Sequence, residues 1–158
     1  MGILKYRGVM YRLLGLFLMV FIFSCSKNST NRNPYLQEFN FRFDINTNLP
    51  LYSGLTNEGS AIYISNEQAG TRGIFVIKTL SSFSGFRAFE ASCPNHTPNE
   101  CSTMSLDSSR NSVTCECEDY NYSLFTGQLL NSPEDDTRFY NMLEYTVTTS
   151  GNIISITN

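Results

Sequence analysis

From Phe39 onward apolar and polar residues alternate, with Phe39, Phe41 and Phe43 separated by Asn40, Arg42 and Asp44. A period of two puts the three rings on one face, so the spacing predicts a strand over residues 39–44. Short runs at 61–65, 74–78, 86–90, 112–114, 120–125, 142–148 and 152–157 continue the pattern, each bounded by Gly, Asn, Ser or Pro. They predict an all-β, many-stranded antiparallel domain. Ser150-Gly151-Asn152 between the last two runs reads as a hairpin turn, and Gly127 in Thr126-Gly127-Gln128 as a second position where the chain needs a positive φ. Only residues 49–55 and 134–141 are suited to a helical turn, and no internal repeat is present.

The N-terminal part follows another rule. Lys5, Arg7 and Arg12 precede an unbroken apolar stretch from Leu13 to Phe23, about half the roughly 20 residues a spanning helix needs. The stretch ends in Ile22-Phe23-Ser24-Cys25, which resembles a bacterial lipobox. The resemblance implies a lipoprotein signal peptide over 1–24, cleavage before Cys25 and acylation of that cysteine. Several acyl chains on one residue hold a protein stably on a bilayer, at about 0.8 kcal/mol per buried CH₂. Residues 25–33 then form the lipidated Cys and a polar, flexible tether, and the domain occupies 34–158. The expected location is the bacterial cell envelope, with the outer membrane as the membrane and a periplasmic or surface-facing domain.

Composition agrees with export. Charged residues make up 16% of the 158-residue chain, below the roughly 25% of an average soluble protein. Three of the 11 basic residues lie in the leader, which leaves 8 basic against 14 acidic residues in the remainder. That balance excludes electrostatic binding of nucleic acid. The acidic residues Glu116, Glu118 and Asp119, with Glu134, Asp135 and Asp136, read as a solvated surface, a calcium ion or basic partner being the alternative. Tyr120, Tyr122 and Tyr140 read as core aromatics in a chain without Trp.

Besides Cys25, all four remaining cysteines fall between Cys93 and Cys117. Cys93-Pro94-Asn95-His96 with Cys101 forms one group, and Cys115-Glu116-Cys117-Glu118 the other, each just after a predicted strand. Two loops that gather thiols in this way make disulfides or a metal site.

From about residue 61 to the end, these groups and their surroundings resemble the Rieske family of 2Fe-2S proteins. Members carry CxH in one loop and CxxH in a second, followed by an aromatic, a Gly and Gly-Pro. Here Cys115-Glu116-Cys117-Glu118 stands at the second loop, with Tyr122, Gly127 and Ser132-Pro133 following in the family's order. Residues 85–90 match the strand leading into the first loop, and 143–156 the closing hairpin. The resemblance implies a Rieske-type antiparallel β-sandwich or barrel, with the two Cys-bearing loops at one tip. It also implies a clamping disulfide between Cys101 and Cys117.

The ligand set departs from the family. Two imidazoles hold one iron of a Rieske cluster, whereas this chain has one His. His96 lies three residues after Cys93, where the family spacing points to Asn95, and Glu118 stands in place of the second His. A domain without the ordinary cluster is therefore expected. Cys93 and Cys115 are left as a second candidate disulfide, although four thiols permit three pairings. Each bridge could contribute about 2–4 kcal/mol. The alternatives are a Rieske-type 2Fe-2S electron-transfer protein, with ordinary or unusual ligation, or a single metal ion on Cys93, His96, Cys115 and Glu118, four mixed donors that zinc accepts. With no iron, His96 is expected as an exposed loop residue. No catalytic residues are assigned, because the single His has no identifiable Asp or Asn to orient it. The resulting expectation is a disulfide-stabilised envelope module that binds or supports an envelope protein partner.

Overall fold

The computed structural model describes residues 32–80, 82–133 and 138–158. The segment expected to be a signal peptide, residues 1–24, and Cys25 lie outside these residues, as do Glu134, Asp135 and Asp136. Among the described residues no helix is long and apolar enough to cross a membrane.

The described residues form nine strands: β1 (Arg42–Asn46), β2 (Ala61–Ile64), β3 (Ile74–Lys78), β4 (Phe86–Glu90), β5 (Ser105–Leu106), β6 (Ser112–Cys115), β7 (Tyr120–Ser123), β8 (Glu144–Ser150) and β9 (Ile153–Thr157). The large sheet has the order β1-β9-β8-β4-β3-β2, and β5-β6-β7 make a separate three-stranded sheet between β4 and β8 in the chain. All pairings are antiparallel. Residues Glu144 and Tyr145 of β8 pair with β4, while Thr146 to Ser150 pair with β9, so one strand hands the ladder on as the sheet curls.

The curl explains the β3 sequence Ile-Phe-Val-Ile, buried at every position. Ile74 and Val76 pack with Ile45, Ala88, Tyr145, Ile154 and Ile156 inside the rolled large sheet. Phe75 and Ile77 face the other way, against Phe89, Val113, Tyr122 and Leu124, and so join the two sheets. A strand covered on both faces reads as a continuous apolar run, not an alternating one.

β1 keeps the expected face but begins three residues late. Its ladder with β9 starts at Arg42 opposite Thr157, and Phe39 lies beyond it, 40% exposed. Phe41 and Phe43 pack against the core, Phe41 edge-on to Tyr145 with centroids 4.8 Å apart. Similarly β8 begins at Glu144, after Met142 N–H has been drawn to the Gly127 carbonyl at 2.8 Å. The first helical candidate is a 3₁₀ segment, Pro50–Leu55. Of the second, residues 138–141 are described and are not helical. Gly127 and Gly151 take the positive φ expected of them, 73° and 57°.

β5 had no sequence signal beyond the turn formers that follow it. Asp107 organises that turn: its carboxylate accepts from the hydroxyls of Ser109 and Ser112, both at 2.6 Å, and from Asn111 N–H at 3.2 Å. Slight burial opposes ionisation, but these hydrogen bonds outweigh it and hold the Asp107 carboxyl below its ordinary value. A lowered folded pKa means that the contribution to stability is present above the unfolded value and is lost as pH falls through the folded one. The Asp107→Asn variant should therefore lose stability less steeply than the parent between about pH 5 and about pH 2, as read from urea midpoints. Parallel pH profiles would refute the role of the ionised carboxylate.

Candidate metal and disulfide site

The first loop leaves β4 under close control. Cys93 N–H donates to the Ser102 carbonyl at 2.8 Å and Met104 N–H to Ala91 at 2.9 Å, closing residues 93–102 into an excursion with a narrow neck. Pro94 is fixed from elsewhere: Asn33 Nδ2 donates to its carbonyl at 2.6 Å. Asn33, read as the last tether residue, is thus tied to the cysteine loop. The second loop is a tight connection in which Cys115 pairs with Tyr120 across β6 and β7, and Asp119 adopts φ 58°.

Two disulfides join the loops, Cys93–Cys115 and Cys101–Cys117, with Cα atoms 5.7 and 5.5 Å apart. Both separations are ordinary for a bridge. The first is fully buried, whereas Cys101 is exposed and Cys117 half-buried. The pairing implied by family resemblance, Cys101 with Cys117, is the one present, and Cys93 with Cys115 is the second.

His96 does not project freely from the loop. Its side chain is 15% exposed, with Nε2 3.5 Å from Cys115 Sγ and 3.4 Å from Glu118 Oε2. Nδ1 lies 2.9 Å from the Thr97 carbonyl. Because a carbonyl only accepts, Nδ1 carries a proton, and in the neutral ring this leaves a lone pair on Nε2. Glu118 Oε2 is also 3.1 Å from Cys115 Sγ. One donor atom each from Cys93, His96, Cys115 and Glu118 thus lies within 4.8 Å of the other three.

Asn95, at the place where the family spacing puts a His, is occupied in another way. Its Nδ2 donates to the Tyr122 hydroxyl at 2.7 Å and to the Tyr140 carbonyl at 2.9 Å, while Oδ1 accepts from Tyr140 N–H at 2.7 Å. Burial pushes the Tyr122 hydroxyl well above its ordinary pKa, so it stays protonated at the base of the loops. Asn95 is a clamp between the first loop and residue 140. Tyr122 is fully buried, and Tyr120 stacks edge-on with Phe139 at 5.5 Å, so both belong to the core side of the site. Tyr140 is partly buried beside Tyr35, 6.1 Å between centroids. Glu116, Glu118 and Asp119 are exposed.

These residues do not fit an ordinary Rieske cluster. That cluster needs two thiolates and two imidazoles, and here the two sulfurs bond to each other, one imidazole is present, and the position of the other is a carboxylate.

One residue that supports the site carried no role in the sequence reading. Glu90 is fully buried, and its carboxylate accepts from the N–H groups of Thr71 (2.6 Å), Arg72 (3.0 Å) and Ser92 (2.9 Å) and from the Tyr145 hydroxyl (2.6 Å). Arg72 then reaches the first loop, its guanidinium donating to the Asn99 carbonyl at 2.7 Å. The available signal was an acidic residue on the same strand face as Phe86 and Ala88.

No family model matches the sequence, and no curated protein matches it. Among solved structures the chain is similar to the cyanobacterial plasma membrane Rieske protein PetC3 from Synechocystis PCC 6803, with TM-score 0.40 and 19% identity over 52% of this chain and 74% of that one. It is also similar to a chain of the oxygenase and ferredoxin complex of carbazole 1,9a-dioxygenase, with TM-score 0.45 and 11% identity over 77% of this chain and 29% of that one. Antiparallel strands carry a small inserted sheet, and two cysteine loops meet at its end and are clamped by Cys101–Cys117.

Proposed function

We propose that this protein is a lipid-anchored, Rieske-like module of the bacterial envelope in which a disulfide stands where the family holds iron, and that it binds or supports an envelope protein partner. The observation that carries the clusterless part is the bond between Cys93 and Cys115, the two cysteines at the family's ligand positions. Asn95 adds to it, since every polar atom of its side chain is engaged in holding the loop. With the two cysteines at its ligand positions bonded to each other, the domain lacks the thiolates an ordinary cluster needs, and what remains is a tip presented on a tether. Anchoring rests on the basic, apolar and cysteine-ended order of residues 5–25. We place the anchor in the outer membrane, with the domain facing the periplasm or the surface.

Two measurements on protein expressed in a bacterial host test this reading. Purified without oxygen, the chain should be colourless, and its four domain cysteines should be blocked to alkylation until reduced. The Cys25→Ser variant should move from the membrane fraction to the soluble fraction. A brown product with about two irons and two acid-labile sulfides per chain would replace the structural module with an electron carrier. A Cys25→Ser protein that still sediments with membranes after a salt wash would refute the anchor.

A further inference from the structure

The donors around the Cys93–Cys115 bond have a geometry that a disulfide alone does not require. We propose that this bond is a reversible cover on a mononuclear metal site, and that once it is reduced Cys93, His96, Cys115 and Glu118 bind one zinc-class dication. The inference rests on the clusterless reading above and goes beyond it by assigning the same loops a second, metal-binding state.

Bond lengths to zinc of about 2.3 Å for sulfur and 2.0–2.2 Å for nitrogen or oxygen set the edges of a tetrahedral site. They come to about 3.5 Å for nitrogen to sulfur, 3.4 Å for nitrogen to oxygen and 3.6 Å for oxygen to sulfur. In the structure His96 Nε2 to Cys115 Sγ is 3.5 Å, His96 Nε2 to Glu118 Oε2 is 3.4 Å, and Glu118 Oε2 to Cys115 Sγ is 3.1 Å. Two edges are therefore at their metal-bound lengths, and the oxygen-to-sulfur edge, at 3.1 Å, must lengthen by about 0.5 Å. The sulfur-to-sulfur edge is the one held short by a covalent bond, and it must open to about 3.8 Å to admit the ion.

The ring of His96 is prepared for such a role. Donation from Nδ1 to the Thr97 carbonyl fixes the tautomer and the ring plane, as the outer hydrogen bond of a metal-bound imidazole does. Glu118 supplies the entrance, being the exposed member of a set whose two sulfurs are buried. Two thiolates, one imidazole and one carboxylate suit a borderline ion such as zinc, and the spacing of three residues in both loops lets each cysteine share a side with its partner donor.

Disulfide and metal exclude each other because both use the same two sulfur atoms. Reduction by a dithiol breaks the Cys93–Cys115 bond with two electrons and two protons, and the dithiol closes to its own disulfide. Binding of the dication then releases both thiol protons to solvent. In the reverse direction, an oxidant of the thiol-disulfide class removes two electrons, restores the bond and ejects the ion.

The test uses the full chain with Cys25→Ser, in detergent and without oxygen, and cobalt(II) as a coloured substitute for zinc. After reduction with a phosphine, cobalt should bind one per chain, with sulfur-to-cobalt charge-transfer absorption and tetrahedral visible bands, and zinc should displace it. Before reduction these bands should be absent. His96→Ala and Glu118→Ala should each weaken binding by more than the roughly 10- to 100-fold that loss of an outer hydrogen bond costs. Cys93→Ser should weaken cobalt binding and cut the charge-transfer absorption to half or less, the share of the remaining Cys115 thiolate, while Cys101→Ser with Cys117→Ser should keep it in full. Zinc should also slow re-formation of the Cys93–Cys115 bond, read by mass spectrometry of alkylated peptides.

Cobalt affinity and charge-transfer intensity unchanged by Cys93→Ser, or affinity unchanged by His96→Ala, would overturn the proposal. So would a reduced chain that takes up no cobalt. Should the doubly substituted chain not fold, His96→Ala in the otherwise intact chain decides the matter. Iron and labile sulfide in oxygen-free protein would instead strike the clusterless reading, so the two failures are distinguishable.

Discussion

Replacing Glu90 by alanine is expected to lower the unfolding free energy by about 3–5 kcal/mol. The carboxylate is fully buried and is the common acceptor for three backbone N–H groups and the Tyr145 hydroxyl. Alanine would leave these donors inside the protein with no water to replace the lost oxygens, and an unsatisfied buried donor costs about 1–3 kcal/mol. Burial, with Glu90 beside it, pushes the Tyr145 hydroxyl far above its ordinary pKa, so the phenol stays protonated as a donor. Glutamine should rescue only in part. Each carboxylate oxygen takes two of the four donors, so an amide would turn one acceptor into an NH₂ that faces two N–H or O–H groups.

The consequence should reach the cysteine loops. Ser92 adjoins Cys93, and Arg72 holds the loop at Asn99, so loss of the carboxylate should raise amide exchange at residues 92–99 more than in β8 or β9. Urea unfolding at neutral pH measures the first effect, and hydrogen exchange the second. A Glu90→Ala protein within about 1 kcal/mol of the parent would mean that water enters and satisfies the nest.

A loss of similar size, about 3–5 kcal/mol, is expected for Phe89→Ala. The ring is fully buried in the cluster that joins β3 and β4 to β6 and β7. Gly127 is packed so closely on it that a Cβ there would lie 2.8 Å from the ring, at a φ of 73° that a side chain would also strain. Arg87 also lies over the ring, 5.2 Å from the centroid, and is itself held by Glu144 at 2.7 and 2.6 Å. The surroundings are therefore a turn and an ion pair that cannot collapse into a cavity, which places the cost high in the range for Phe deletion. Phe89→Leu should cost less than half as much. If both variants unfold at the same urea concentration as the parent, the small sheet is not held to the large one through this ring.

How much of this was legible beforehand depends on how far apart the interacting residues lie. Alternation of Phe39, Phe41 and Phe43 with polar residues, and the turn residues between runs, identified eight of the nine strands to within a few residues, because side-chain period and turn chemistry are local properties. The two-residue β5 escaped, since a strand that short exists through its neighbour, Ser105 against Thr114 and Leu106 against Val113. The clustering of Cys93, Cys101, Cys115 and Cys117 likewise announced a two-loop site.

The family resemblance named Cys101 with Cys117 and left Cys93 with Cys115 as the second pair, and both are present, but residue spacing alone did not choose them and what stands between the thiols was decided only by tertiary structure. Spacing left three pairings open, and the ladder of β6 with β7 and the neck at Cys93 and Ser102 selected one. The same packing turned His96 inward to Cys115 and spent Asn95 on a backbone 45 residues away. Glu90 shows the principle most plainly: on its own strand it is an acidic residue at an inward position, and its partners come from residues 71, 72, 92 and 145. A residue's conformational preference is settled by its neighbours in the chain, but whether a buried polar atom is satisfied depends on which distant donors the fold delivers to it.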